Sequence, residues 1–146
     1  MNPDVLFKKY KKHFIKLLGK GALDNVQLDE LGKKLFGKKY LGTFAQDELP
    51  SRSGYLIINV DTSKKINTDR AHWIAIIQTP KTLYVYDSFG RLTENILKLI
   101  SKKTKKKIVD SKYDPEQFGY TEICGQLAMA FLCVAHDLGI KRALTI

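Results

Sequence analysis

The segment Cys124-Gly-Gln-Leu-Ala-Met-Ala-Phe-Leu-Cys-Val-Ala-His-Asp-Leu138 constrains this chain most. It is almost wholly apolar, long enough for about four helical turns, and followed by Gly139, a residue that commonly stops helices. A helix apolar nearly all round must be covered on every side, so it predicts a central, buried element with other layers built around it. With 146 residues, 44% of them apolar, the chain is large enough for one hydrophobic core and too small for two, which predicts a single domain over 1–146.

The cover comes from elements of two periods. Pro3 at a first helical position, Asp4 in the first turn and Leu6, Tyr10, Phe14, Leu17 and Leu18 at helical spacing predict a basic amphipathic helix ending at Gly19. Asn25 is a candidate cap for a second helix, with Leu28, Leu31 and Leu35 on one face and Gly37 as its stop. Then the period changes. The runs 55–60, 72–78 and 82–87 are β-branched and aromatic, apolar on both faces, as in strands of a sheet covered on both sides. Thr79-Pro-Lys-Thr82 reads as a tight turn between the second and third. Thr93 is a candidate cap for a short helix through Ile96, Leu97 and Ile100, and Lys106 to Val109 reads as an edge strand guarded by lysines.

Twenty-five Lys and Arg against fifteen Asp and Glu give a net charge of +10, which points to a polyanionic partner. The charge falls in blocks: Lys8, Lys9, Lys11, Lys12, Lys16 and Lys20; then Lys33, Lys34, Lys38 and Lys39; then Lys98 and Lys102 to Lys107. Such blocks are usually solvated surface, but three without matching acid predict a track for sequence-independent, salt-sensitive phosphate binding. Lys8, Lys9, Lys11, Lys12, Lys102, Lys103, Lys105, Lys106 and Lys107 are the candidate DNA contacts. A membrane-surface role for the first helix is the weaker reading, because its apolar face is short. No stretch approaches a membrane span and Met1-Asn2-Pro3-Asp4 lacks a signal-peptide core, so the expectation is a soluble, unexported protein. Two cysteines, Cys124 and Cys133, make neither a disulfide framework nor a four-thiolate metal site and suit a reducing setting.

A buried cysteine is more often a small hydrophobe than a nucleophile. Cys124, however, opens its helix, where unpaired amides and the helix dipole favour thiolate over thiol. It needs a base, and the chain offers His13, His72 and His136. His136 lies about 18 Å along the same helix, and His13 sits in a lysine-rich surface helix. His72 remains. If the chain reverses at Thr79 to Thr82 with Gln78 opposite Leu83, then His72 falls opposite Phe89 and becomes a diagonal neighbour of Asp87, within reach of a carboxylate to imidazole hydrogen bond. A shift of one residue would put the two on opposite faces and leave Asp110 and Asp114 as fallback acids. Gln117, seven residues before Cys124, is a candidate oxyanion donor alongside the Cys124 N–H. Histidine, acid, glutamine and cysteine complete the parts of a thiol hydrolase site. Cys133 reads as core, Trp73 as packing, and Gly125 as a point of close approach.

His72-Trp73, Tyr84-Val-Tyr-Asp-Ser-Phe-Gly90, and Gln117 followed by Cys124-Gly125 resemble the adenovirus-type cysteine endopeptidases (adenain) and their relatives among the ubiquitin-like-protein proteases. Tyr40 to Pro50 and Leu56 to Val60 resemble the segments that precede the His-Trp pair there, so the likeness runs from about Leu28 to Ala135. The small size and lysine content are closest in character to maturation proteases of virophages and Maverick or Polinton-type elements.

The resemblance implies an α+β, papain-like fold with the cysteine helix packed on a mainly antiparallel sheet and a basic helical N-terminal extension at about 1–22. It implies His72 as general base, Asp87 as its orienting partner, Gln117 as oxyanion donor and Cys124 as nucleophile. It further implies a monomeric endopeptidase that cuts capsid or core precursors in the virion or at the assembly site. No cofactor or metal is needed for the chemistry, and DNA would be stimulatory. Adenain's disulfide-linked peptide activator has no counterpart cysteine here between Asp87 and Gln117. The alternatives are a deconjugase of a ubiquitin-like modifier or an acyltransferase on the same fold, and a non-enzymatic basic DNA-binding virion protein.

Overall fold

A computed structural model describes residues 1–60, 72–111, 115–117 and 122–146. The first helix, α1 (Pro3–Leu18), starts where the Asn2 side chain accepts from the N–H groups of Asp4 (2.8 Å) and Val5 (3.3 Å), with Pro3 just inside, and ends at Gly19. The second, α2 (Asn25–Phe36), is capped by Asp24 rather than Asn25. Asp24 accepts from the Gln27 N–H at 2.8 Å while the Gln27 side chain accepts from the Asp24 N–H at 3.0 Å, so the third residue after the cap decides between two good capping residues. Leu6, Phe7 and Phe14 of α1 are buried, as are Leu28, Leu31 and Phe36 of α2. Leu17 and Leu35, assigned to the apolar faces from their spacing, are exposed, because Phe7 and Phe36 take the inward positions instead.

Strands β1 (Tyr40–Ala45), β2 (Gly54–Asn59), β3 (Trp73–Gln78), β4 (Thr82–Tyr86) and β5 (Lys107–Asp110) lie side by side in chain order. Two of the four pairings are antiparallel, β2 with β3 and β3 with β4, whereas β1 with β2 and β4 with β5 are parallel. The sheet is therefore mixed, not mainly antiparallel, and the class is α+β. The hairpin between β3 and β4 reverses as its turn chemistry predicts: Gln78 pairs with Leu83 and Ala75 with Tyr86, while Thr79 N–H donates to the Thr82 carbonyl at 2.9 Å. Lys107–Asp110 is an edge strand, one residue offset from the expected position.

Alternation along the strands splits the interior in two. Ile57, Trp73, Ala75, Ile77 and Tyr86 face a layer made by α1, α2 and α5 (Cys124–Leu138). Leu56, Ile58, Ile74, Ile76, Leu83 and Val85 face the other side, covered by Leu97 and Ile100. Those two residues belong to the stretch where one helix was expected from Thr93. It is two short helices, α3 (Thr93–Ile96) and α4 (Lys98–Lys103), broken at Leu97 by its non-helical ψ of 57°. Thr93 is the first helical residue and not the cap. A last short helix, α6 (Ile140–Ala143), follows Gly139.

The two-sided architecture also separates the lysine blocks. Lys8, Lys9, Lys11 and Lys12 ride on α1 and Lys102 and Lys103 on α4, two helices on opposite faces of the sheet.

Candidate active site

The site forms at one end of the sheet, where β3 begins, β4 ends and α5 starts. The β2 to β3 ladder runs one residue beyond the strands, with Val60 N–H donating to the His72 carbonyl at 3.1 Å, and this fixes the His72 backbone. On the other side of the hairpin the Asp87 carbonyl accepts from Gly90 N–H at 2.9 Å, closing a tight turn in which Gly90 has φ of 68°. The register places the two side chains diagonally on one face, and they meet: His72 Nε2 lies 2.6 Å from Asp87 Oδ1.

Asp87 is almost wholly buried and takes two further donors, the Phe89 N–H at 3.1 Å and Arg91 Nε at 2.9 Å. Burial pushes its pKa up, but the bonds from His72, Arg91 and Phe89 outweigh burial and hold it below the usual carboxylate range. Burial pushes His72 the other way, towards neutral. Its bonds to Asp87 and Cys124 prevail and leave its pKa above the ordinary imidazole value. The Phe89 ring lies against the His72 ring, centroids 4.9 Å apart, and the Arg91 guanidinium covers the Phe89 ring at 5.1 Å.

Cys124 is the first residue of α5 and is buried, with Trp73 N–H directed at its sulfur at 3.4 Å. Nε2 is held by Asp87, the Cys124 side chain is a further partner of His72, and Nδ1 is the ring nitrogen that Asp87 leaves open for it. Gly125 allows the approach of the N-terminal segment: a Cβ there would sit 3.3 Å from both Leu23 Cδ1 and Leu28 Cδ2. The same segment is held by Trp73 Nε1 donating to the Leu23 carbonyl at 2.8 Å and by Gln126 Nε2 donating to the carbonyls of Gly19 (2.9 Å) and Gly21 (3.0 Å).

Gln117 is buried beside Asp87 in the chain's return path. Its backbone N–H and that of Glu116 both donate to the Ser88 carbonyl, at 3.1 and 2.9 Å, and Ser88 Oγ donates to Gln117 Oε1 at 2.5 Å. An accepting Oε1 fixes the amide orientation and makes Nε2 the donor end, the property an oxyanion donor requires. Residues 118–121, through which the loop returns to Cys124, lie outside the described residues, as does Asp114.

The described residues thus bring His72, Asp87 and Cys124 together and tie Gln117 to the residue after Asp87. Compared with known proteins, the chain matches no family model and no curated protein.

The other candidates fall away from this cluster. His13 and His136 are exposed, the latter against the rings of Phe36 and Tyr55. Asp110 accepts from Thr93 Oγ1. Cys133 is buried, and burial followed by nearby Asp137 pushes its thiol up to about 12. Among the described residues no group of three potential ligands could hold a metal ion, and no helix is long and apolar enough to cross a membrane. Sequence reasoning did not find Arg91, Ser88 or Gln126. Arg91 carries only the signal of an i+4 spacing from Asp87 across a turn. Gln126 was visible as the one amide in an apolar helix.

Proposed function

We propose that this protein is a cysteine endopeptidase of papain-like arrangement, similar to the adenovirus-type enzymes, that cuts capsid or core precursor proteins of a DNA virus or virus-like element. The observation that carries this reading is His72 held by buried Asp87 at 2.6 Å and bonded to the cysteine that opens the buried helix. An acid that orients the imidazole, an imidazole beside a thiol, and a thiol at a helix start are the parts nucleophilic acyl transfer needs.

In the reaction, His72 Nδ1 takes the Cys124 proton and the thiolate attacks the scissile carbonyl carbon. The oxyanion that forms is met by the Cys124 N–H and the Gln117 amide. His72 then passes its proton to the leaving amine as the C–N bond breaks, leaving a thioester. Water attacks the thioester, giving one proton to His72, which returns it to the departing sulfur; acid product and free thiol are restored. Asp87 remains ionised throughout and holds the imidazolium, consistent with its lowered pKa. The lysines of α1, with Lys102 and Lys107, support non-specific DNA binding that would retain the enzyme on packaged genome.

The test is digestion of candidate capsid precursors by wild type and by Cys124→Ala, with and without DNA, with cleavage sites read by mass spectrometry. Wild type should cut and Cys124→Ala should not, at unchanged thermal midpoint. Equal cleavage by both would refute the assignment.

A further inference from the structure

At the far end of the same sheet lies a cavity of about 650 Å³ that the chemistry above does not use. Five residues of β3 lie between His72 and Gln78 in its lining, about 20 Å along the strand, and the intervening Ile74 and Ile76 are fully buried, so it is not an extension of the candidate site. Its apolar lining comes from Leu49, Pro50, Pro80 and Leu99. Among the described residues, Lys81, Lys103, Lys105 and Lys106 stand around it with one carboxylate, Asp47.

The walls are preformed. Buried Gln78 donates through Nε2 to the carbonyls of Pro50 (2.7 Å) and Arg52 (2.5 Å), tying the segment after β1 to the β3 end. Buried Gln46 donates to the Val60 carbonyl and accepts from Leu99 N–H at 3.2 Å, tying the same segment to α4. Lys106 Nζ donates to the Thr79 carbonyl at 2.8 Å, which holds one ammonium at the edge of the cavity.

We propose that this cavity is a docking site for an acidic peptide segment carrying an apolar residue, borne by the substrate at a distance from the scissile bond. Charge complementarity selects the acid: among the described residues, four ammonium groups and one carboxylate line the cavity. Shape selects the peptide over nucleic acid. Phosphate backbones are bound by exposed cations and gain nothing from an apolar floor, whereas a concave site with apolar lining and cationic edges suits a buried side chain flanked by carboxylates. The identification of the occupant as substrate rests on the endopeptidase reading; the binding does not.

The experiment therefore uses Cys124→Ala protein, which cannot consume the probe. A fluorescein-labelled peptide with one leucine flanked by Asp and Glu is titrated and followed by anisotropy, beside the same peptide with Lys for the acids. The acidic peptide should bind at one saturable site and the basic one should not. Adding Lys103→Glu and Lys105→Glu should weaken binding about tenfold, since two attractions become repulsions. Leu99→Ser should weaken it about threefold, and Lys34→Glu, on the opposite layer, should leave it unchanged. No binding by the acidic peptide, or equal binding by the charge-reversed protein, overturns the proposal. So does displacement of the peptide by duplex DNA combined with indifference to Leu99→Ser, which would make the site a plain polyanion surface. Binding here with no cleavage by wild type would keep the docking site and remove the endopeptidase reading; cleavage without binding would do the reverse.

Discussion

Replacing Asp87 by Asn isolates the His72–Asp87 pair on which the proposed chemistry depends. The substitution keeps shape and removes charge. The bond from His72 at 2.6 Å is buried and charge-assisted, worth about 2 kcal/mol, while Arg91, 45% exposed, adds less than about 1 kcal/mol after solvent screening. Asparagine can still accept from one donor, so the expected loss is about 2 kcal/mol, or about 4–8 °C in thermal midpoint. Its pH dependence has a definite sign. The His72 pKa is raised on folding, so its contribution is complete below the ordinary value of 6.5 and fades as pH rises through the higher folded value. The Asp87 pKa is lowered, so its contribution is complete above the ordinary 3.8 and lost as pH falls through the lower folded value. The stability difference between wild type and Asp87→Asn should be greatest between those two ordinary values and shrink on the alkaline side. Urea denaturation at pH 5, 7 and 9 measures it directly. In cleavage, loss of the orienting acid should lower kcat by up to about ten-thousandfold through the wrong tautomer. A stability difference that is flat with pH, or undiminished cleavage, would refute the pairing as the source of both effects.

Two further outcomes are expected. Gln126→Leu removes the donor to the Gly19 and Gly21 carbonyls and also the buried Oε1 that has no partner, so the net cost should be about 1–2 kcal/mol in urea denaturation, with faster tryptic cleavage at Lys20 between them. The two thiols should label unequally with iodoacetamide although both are buried: at pH 7.5 a thiol pushed up to about 12 is ionised in only about 3 parts in 100,000, so Cys124, with His72 beside it, should react at least tenfold faster than Cys133, as read by peptide mass spectrometry.

The parts of the fold legible in the sequence are those with local causes. Pro3 and Gly19 bound α1, and the Thr79-Pro80 turn fixes a hairpin register that carries His72 to Asp87 without any distant information. What escaped has non-local causes. Tyr40–Ala45 carries Gly42 in its middle and is a strand only because β2 lies parallel beside it, and the two parallel pairings that make the sheet mixed depend on connections of many residues. The cap of α2 was readable from Asp24 and Gln27, whose spacing is that of a capping box, but Asn25 presents an equally good side chain one residue later. In the site, His72 and Cys124 announce themselves by residue type, whereas Arg91 is a half-exposed arginine whose role exists only through the turn that brings it to Asp87. The lysine count does not record on which face of the sheet a helix lands, and the structure sets α1 and α4 on opposite faces.

The all-round apolar character of Cys124–Leu138 also explains how the N-terminal segment comes to lie beside the candidate site. The sheet can cover only one side of that helix, through Ile57, Trp73, Ala75, Ile77 and Tyr86. The remaining circumference has to be covered by α1 and α2, and covering it brings Leu23 and Leu28 onto Gly125, one residue from Cys124. Trp73 and Gln126 then fasten that segment, the first from the strand that presents His72 and the second from the helix that presents Cys124. The segment joining α1 to α2 is thereby bonded to both elements whose relative position sets the distance from imidazole to thiol. Residues 19–28 thus link the strand that presents His72 to the helix that presents Cys124, and under the proposed function they are the support that keeps imidazole and thiol in register.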